Sequence, residues 1–177
     1  MCPFLAFRYA HLEHHRHTND PLGDPDHYSG RGPTWLLPLR WLTIDAYYYR
    51  WMGDRKDGGA AFLLGIVAVA CGLSATGAGM EVLLCWLLPA RLAMGLIASS
   101  FSYFPHAPHE VTAKEDRFRA SNIMLYPGLT IALLYQNYHL IHHLYPGVPF
   151  YRYARIFRSK RSELIQRGAP IFPRADS

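Results

Sequence analysis

A chain of 177 residues, half of them apolar, is the size of one domain with a single core. A formal charge of +5 admits an anionic membrane surface, an acidic protein or a nucleic acid as partner. The basic residues flank one apolar block and no nucleic-acid motif is present, which argues against nucleic acid. The mean hydropathy of −0.03 hides this segregation. Apolar residues crowd residues 60–104, while Arg, Lys, His and Pro crowd both ends, the distribution of a membrane protein with polar extramembrane faces.

In chain order, the first element is a helix over residues 4–17. Positions 4, 7, 11, 14 and 15 recur at helical spacing, and Pro21 cannot continue the helix. It carries His11-Leu12-Glu13-His14-His15. Residues three and four apart share a helix face, so this word aims three imidazoles at one small volume, the spacing of metal ligands. Residues 22–33, rich in Gly, Pro and Asp, read as a loop. Residues 35–51 then mix Trp35, Trp41, Tyr47, Tyr48, Tyr49 and Trp51 with Arg40 and Arg50, a composition suited to the membrane–water interface.

Residues 60–79 contain no charged side chain and form the first expected transmembrane span. Residues 82–104 form the second, interrupted by Pro89 and Arg91; a mid-span arginine costs about 2.5–3.5 kcal/mol unless it faces protein. The turn at 78–81 lacks Lys and Arg, whereas Arg50, Arg55 and Lys56 precede the spans and Lys114, Arg117 and Arg119 follow them. The positive-inside rule therefore puts the histidines together on the cytoplasmic face. Cys2, Cys71 and Cys85 show no C-x-x-C spacing, so no disulfide framework or thiolate site is expected.

After a polar stretch at 112–121, an interfacial helix is expected to start near Pro127. It would run through Leu133, Leu134 and Tyr135 into His139-Leu140-Ile141-His142-His143 and stop before Pro146. The tail at 151–167 reads as a solvated basic face. The expected fold is all-α: an integral membrane protein with one transmembrane hairpin, interfacial helices and a cytoplasmic histidine-rich cap.

Two copies of one five-residue histidine spacing, with His106 and His109 between them, point to metal rather than to isolated core histidines. A structural zinc needs four ligands. Six in matched clusters argue for two metals, and a site beside an apolar slab favours a long apolar substrate, redox chemistry and iron. The stretches His11-Leu-Glu-His14-His15-Arg-His-Thr-Asn-Asp and Gln136-Asn-Tyr-His139-Leu-Ile-His142-His143-Leu-Tyr-Pro resemble the second and third histidine boxes of the membrane fatty acid desaturase and carotenoid hydroxylase superfamily.

The resemblance implies a helical membrane protein that holds two non-haem irons with histidine, uses O2 and takes electrons from a ferredoxin or cytochrome b5-type donor. It implies His11, His14, His15, His139, His142 and His143 as ligands, with a further histidine after the second span. His106 is preferred there over His109 because it is nearer the span end. Asn137 is expected either to hold a water or ligand behind the site or to be a helix-surface amide. His17 and His27 are expected at the surface or behind the ligands.

The superfamily's first box is absent, since no histidine precedes His11. The expectation is that residues 1–177 form a partial desaturase-like domain, truncated at its amino terminus, or a degenerate relative. Fatty acyl desaturation is the first functional reading and beta-carotene hydroxylation the close second, because the extended third-box context is similar to beta-carotene hydroxylases. A membrane protein with a structural zinc and an inert remnant are the competing classes.

Overall fold

The computed structural model describes residues 4–53 and 59–173; Cys2, Arg55 and Lys56 lie outside them. The described chain is mostly helical: α1 (Phe4–His17), α2 (Leu37–Met52), α3 (Gly59–Leu73), α4 (Gly79–Glu81), α5 (Leu88–Ile97), α6 (Ala113–Asp116), α7 (Leu129–Ala132), α8 (His139–Leu144) and α9 (Tyr153–Gln166). An addition to the all-helical expectation is a short parallel pairing of β1 (Ile123–Met124) with β2 (Ile171–Phe172), which ties the tail to the loop ahead of α8.

Two small cores position the histidines. In the first, Ala6 and Ala10 of α1 pack with Ile44, Tyr48 and Met52 of α2 and with Ala98. The two alanines are 0% and 1% exposed, covered by the larger side chains of this cluster. The second joins Ile123, Leu140, Ile141, Leu144, Tyr153, Phe157 and Leu164. The basic tail is thus an amphipathic helix, α9, whose Tyr153, Phe157 and Leu164 are buried against α8 while its arginines face outward.

One segment, Ala61–Tyr103, is helical and apolar enough to cross a membrane, and its 43 residues are more than a single crossing of about 30 Å requires. Helical geometry breaks at Gly77, whose φ of 95° lies in the left-handed region that glycine alone adopts freely. This break falls inside the first expected span, two residues before its end at residue 79. Phe62 from the arm before Gly77 and Ile97 and Phe101 from the arm after it line one cavity. Wider π-helical turns occupy Ser74–Ala78, Val82–Leu87 and Ala98–Tyr103.

The second arm packs along α2. Leu42 reaches within 3.0 Å of where a Cβ on Gly95 would stand, so the glycine permits the close approach. Arg91 is not stranded in the apolar arm. Its Nη1 and Nη2 donate to Asp45 Oδ1 and Oδ2 at 2.8 and 2.7 Å, and Nη1 also donates to the Leu42 carbonyl at 3.2 Å. The bidentate pair supplies the protein-facing environment that an embedded arginine requires.

The expected continuous helix from Pro127 into the second histidine word is corrected. Gly128, Leu134 and Tyr135 take left-handed φ values of 82°, 47° and 65°, leaving a four-residue α7, a turn and then α8. Asn137 braces that turn, donating from Nδ2 to the Met124 carbonyl at 2.8 Å and to Thr130 Oγ1 at 3.2 Å. It is fully buried, which removes the helix-surface alternative.

Candidate metal centre

α1 and α8 bring the two histidine words face to face. Seven of the ten histidines fall into two groups able to hold metal ions: His14, His106, His139 and His143, and His11, His15 and His142, with ligand atoms within 4.8 Å of one another in each. The partition follows helical spacing. α1 gives its i,i+4 pair His11 and His15 to the group of three and His14 to the group of four. α8 does the converse, giving its i,i+4 pair His139 and His143 to the group of four and His142 to the group of three.

In the group of three, the Nε2 atoms form a triangle with edges of 3.2 Å (His11–His142), 3.2 Å (His11–His15) and 2.9 Å (His15–His142). Three imidazole nitrogens cannot satisfy one another in a triangle, because at least one edge must set like against like, lone pair against lone pair or N–H against N–H. A cation removes the conflict. At a metal–nitrogen bond of about 2.1 Å, ligands at right angles stand about 3.0 Å apart, so the triangle matches one face of a coordination shell and leaves the other side open.

In the group of four, the far sides of the rings fix which nitrogen faces inward. His14 Nδ1 donates to Asp24 Oδ1 at 2.8 Å, and His106 Nδ1 donates to the Ala120 carbonyl at 3.1 Å. The Thr18 hydroxyl donates to the His14 carbonyl, so toward His143 Nδ1, 3.3 Å away, it acts as acceptor. Each bond leaves Nε2 for the interior; His14 and His143 Nε2 are 3.2 Å apart. His106 Nε2 and both ring nitrogens of His139 are buried without a partner. Buried polar atoms left unpaired cost about 1–3 kcal/mol each, and a cation among them would accept those lone pairs. The donor set therefore fits metal, and behind the group of three Tyr153 Oη holds His142 Nδ1 at 2.9 Å.

Electrostatics keep most of these imidazoles neutral and ready to ligate. Burial first, then the neighbouring histidines, holds His15 down at about 2 and His142 at about 4. The same causes push His106, His139 and His143 well below the usual value and lower His11. His14 is the exception. Burial opposes its charged form, but Asp24 and Asp26 outweigh burial and lift it to about 9. In the metal-free protein a proton occupies its inner nitrogen; a bound cation would take that place while Asp24 keeps the bond to Nδ1.

His109 stands outside both groups. Its ring fills the space of a Gly30 Cβ, which would lie 2.4 Å from its Cδ2, and it packs against His27 at a ring separation of 5.8 Å. His17 lies against Gly23 and 3.7 Å from Glu13 Oε2. Sequence reasoning missed Thr18, Asp24, Asp26 and Tyr153. The one available signal was the Asp24-Pro25-Asp26 step in the loop after α1, which reads as ordinary turn chemistry.

A cavity of about 620 Å³ reaches the histidines from the apolar arms. His11, His14, His139 and His142 stand on its wall together with Phe7, Ile44, Phe62, Met94, Ile97 and Phe101. Among the described residues no lysine or arginine lines it, and Asp26 is engaged by the Tyr48 hydroxyl. The arrangement gives a hydrocarbon chain or ring room to reach the histidine nitrogens along a mostly apolar wall.

Comparison with known proteins follows the same lines. A family model described as fatty acid desaturase matches residues 1–175. The chain is 30% identical over 145 residues to a beta-carotene ketolase of a Paracoccus species, covering 80% of this chain and 53% of that protein. It is 29% identical over 147 residues to the beta-carotene ketolase of a second Paracoccus strain, covering 82% and 54%. The chain thus spans about half the length of the curated relatives it matches, and no solved structure matches it.

Proposed function

Because this chain belongs to the fatty acid desaturase family, we propose that it acts as a membrane oxygenase that holds two irons with histidine and uses O2 to oxidise a long apolar lipid. The observation that carries this reading is the division of seven histidines into a group of four and a group of three on interlocking helices. His14, His106, His139 and His143 would hold one iron and His11, His15 and His142 the other. Bound iron supplies activation of O2 sufficient to attack an unactivated C–H bond.

The protein's own contribution is placement. Asp24, Thr18, the Ala120 carbonyl and Tyr153 orient the ligand rings from behind. Phe62, Met94, Ile97 and Phe101 guide an apolar substrate to the histidine wall and keep water from it. In this reading the segment Ala61–Tyr103 forms a transmembrane hairpin, the histidines lie on the cytoplasmic face, and a ferredoxin or cytochrome b5-type protein delivers electrons.

A carotenoid is the substrate class we favour, for oxygenation of its ring. Both curated relatives are named for beta-carotene ketolation, and among the described residues no lysine or arginine lines the cavity to receive an acyl headgroup. Fatty acyl desaturation is the second reading, favoured by the family description. Expression in a host that accumulates beta-carotene separates them. Ketolated or hydroxylated pigment with unchanged acyl chains supports the first, and new acyl double bonds with unchanged pigment support the second. Metal analysis of detergent-purified protein tests the shared premise: iron approaching two per chain supports it, and a single tightly held zinc without iron rejects it.

A further inference from the structure

We infer that the groove formed by Tyr28, Arg31, Arg40, Thr43, Tyr47 and Arg50 binds the phosphate of an anionic phospholipid at the membrane surface. The groove measures about 540 Å³ and shares no residue with the apolar cavity. Arg40, Thr43, Tyr47 and Arg50 recur at i, i+3, i+7 and i+10 along α2, on a different face from Ile44, Tyr48 and Met52, which enter the core.

The groove is built rather than fluctuating. Tyr28 and Tyr47 stack with ring centroids 4.2 Å apart and planes 4° from parallel. Tyr28 Oη lies 3.2 Å from Thr43 Oγ1, and the Arg40 guanidinium sits 5.1 Å from the Tyr28 ring centroid. No carboxylate among the described residues lines the groove. Among the described residues none of the three arginines joins an ion pair with Asp or Glu, and Asp45 on the same helix is taken by Arg91. Arg40 Nε is buried with no hydrogen-bond partner. Three cations in one groove repel each other, and one of them holds an unmet donor. A phosphate answers both, since its oxygens accept from guanidinium forks in parallel pairs.

Position selects a lipid phosphate over a soluble one. α2 rests on α5, part of the segment able to cross a membrane, through Leu42 against Gly95. Trp35, in the turn just before α2, and Leu39, next to Arg40 in its first turn, are 75% and 58% exposed. Exposed Trp and Leu next to arginine form a surface that matches the headgroup layer, where rings and alkyl groups leave water while cations meet phosphate. The inference rests on the membrane reading of the apolar segment and is independent of the iron reading.

The test is a lipid titration of the detergent-purified chain followed by native mass spectrometry. Dioleoyl-phosphatidylglycerol is compared with dioleoylglycerol, which has the same chains and no phosphate. The expected result is binding of the phosphatidylglycerol at least about tenfold tighter, with that preference lost in Arg31→Gln/Arg40→Gln/Arg50→Gln. Arg31→Gln/Arg50→Gln, which alters only exposed side chains, should lose part of it if the triple variant fails to fold. Arg155→Gln/Arg158→Gln/Arg161→Gln on α9 removes equal charge elsewhere and should leave the preference intact. Equal binding of the two lipids, equal loss in the α9 variant, or displacement of the lipid by millimolar inorganic phosphate overturns the inference. Lipid retained without headgroup preference rejects the groove alone, whereas a chain that is monodisperse without detergent and retains no lipid rejects the membrane reading beneath it.

Discussion

His14 and Asp24 form a buried pair, with Nδ1 2.8 Å from Oδ1 and both side chains 1% exposed. The other carboxylate oxygen of Asp24 accepts from the Asn19 backbone N–H at 2.7 Å, and Oδ1 also accepts from the Asp26 N–H at 2.8 Å. The carboxylate is therefore fixed by the loop after α1 and in turn fixes the ring. Asp24→Asn keeps the shape and removes the charge. It should lower affinity for ferrous iron about 10- to 100-fold, read by anaerobic metal titration. An unchanged affinity would mean that the pair serves folding only.

Tyr153 acts on the other group. Its hydroxyl lies 2.9 Å from His142 Nδ1, and its ring is part of the α8–α9 core. Tyr153→Phe removes one oxygen while keeping the packing, so stability should change by no more than about 1 kcal/mol. Only one of the two iron-binding steps should weaken. Uniform weakening of both steps would contradict the division of the site.

His139 separates a ligand from a core residue. Both its ring nitrogens are buried and unpaired. In the metal-free protein His139→Leu should be neutral or stabilising, because it replaces an unsatisfied polar ring by an apolar group. The same variant should fail to retain iron at the group of four. Thermal melting with and without metal reads both effects, and destabilisation of the metal-free form would go against this account.

Arg91 and Asp45 test the embedded ion pair. Removing one partner by Arg91→Met takes the two charged donors from Asp45, 4% exposed, while the Ala46 N–H still donates to it, and should cost about 1–3 kcal/mol. The double variant Arg91→Met/Asp45→Leu should recover most of that loss. Melting in detergent checks the cycle, and a double variant no more stable than the single would mean that the pair contributes chiefly by packing.

Acid should destabilise the metal-free protein. Burial first, then His27, holds His109 at about 4, below the usual histidine value near 6.5. Below about pH 6.5 the unfolded chain takes up a proton that the folded one refuses, so stability falls as pH drops from about 6.5 to 4. A shift of this size corresponds to something on the order of 3 kcal/mol. His14 has the opposite sign: raised to about 9, its contribution is complete below about 6.5 and is lost as pH climbs through 9. His109→Gln should flatten the acid limb of a melting-temperature profile; an unaltered limb would assign the acid response to other groups.

The elements that sequence reading finds are those written in local periodicity. Positions 4, 7, 11, 14 and 15 with Pro21 fix α1, and the repeated histidine word fixes which faces carry ligand atoms. Partners joined only by tertiary contact leave no such trace. Asp45 lies 46 residues from Arg91 and Tyr153 11 from His142, with nothing in the intervening spacing to pair them. The break before α8 is hidden for another reason: Leu134 and Tyr135 adopt left-handed backbone without the glycine or asparagine that normally signals it. In α9 the charges outnumber Tyr153, Phe157 and Leu164, so the buried stripe disappears into a basic run.

The cross-lending of histidines between α1 and α8 makes the two histidine groups mechanically inseparable. An offset of three against four residues along a helix sets how far the nitrogens of one group stand from those of the other, and it does so twice, once on each helix. A slip of either helix by a single turn would spoil both groups at once, so the spacing between them behaves as a fixed gauge rather than an adjustable one.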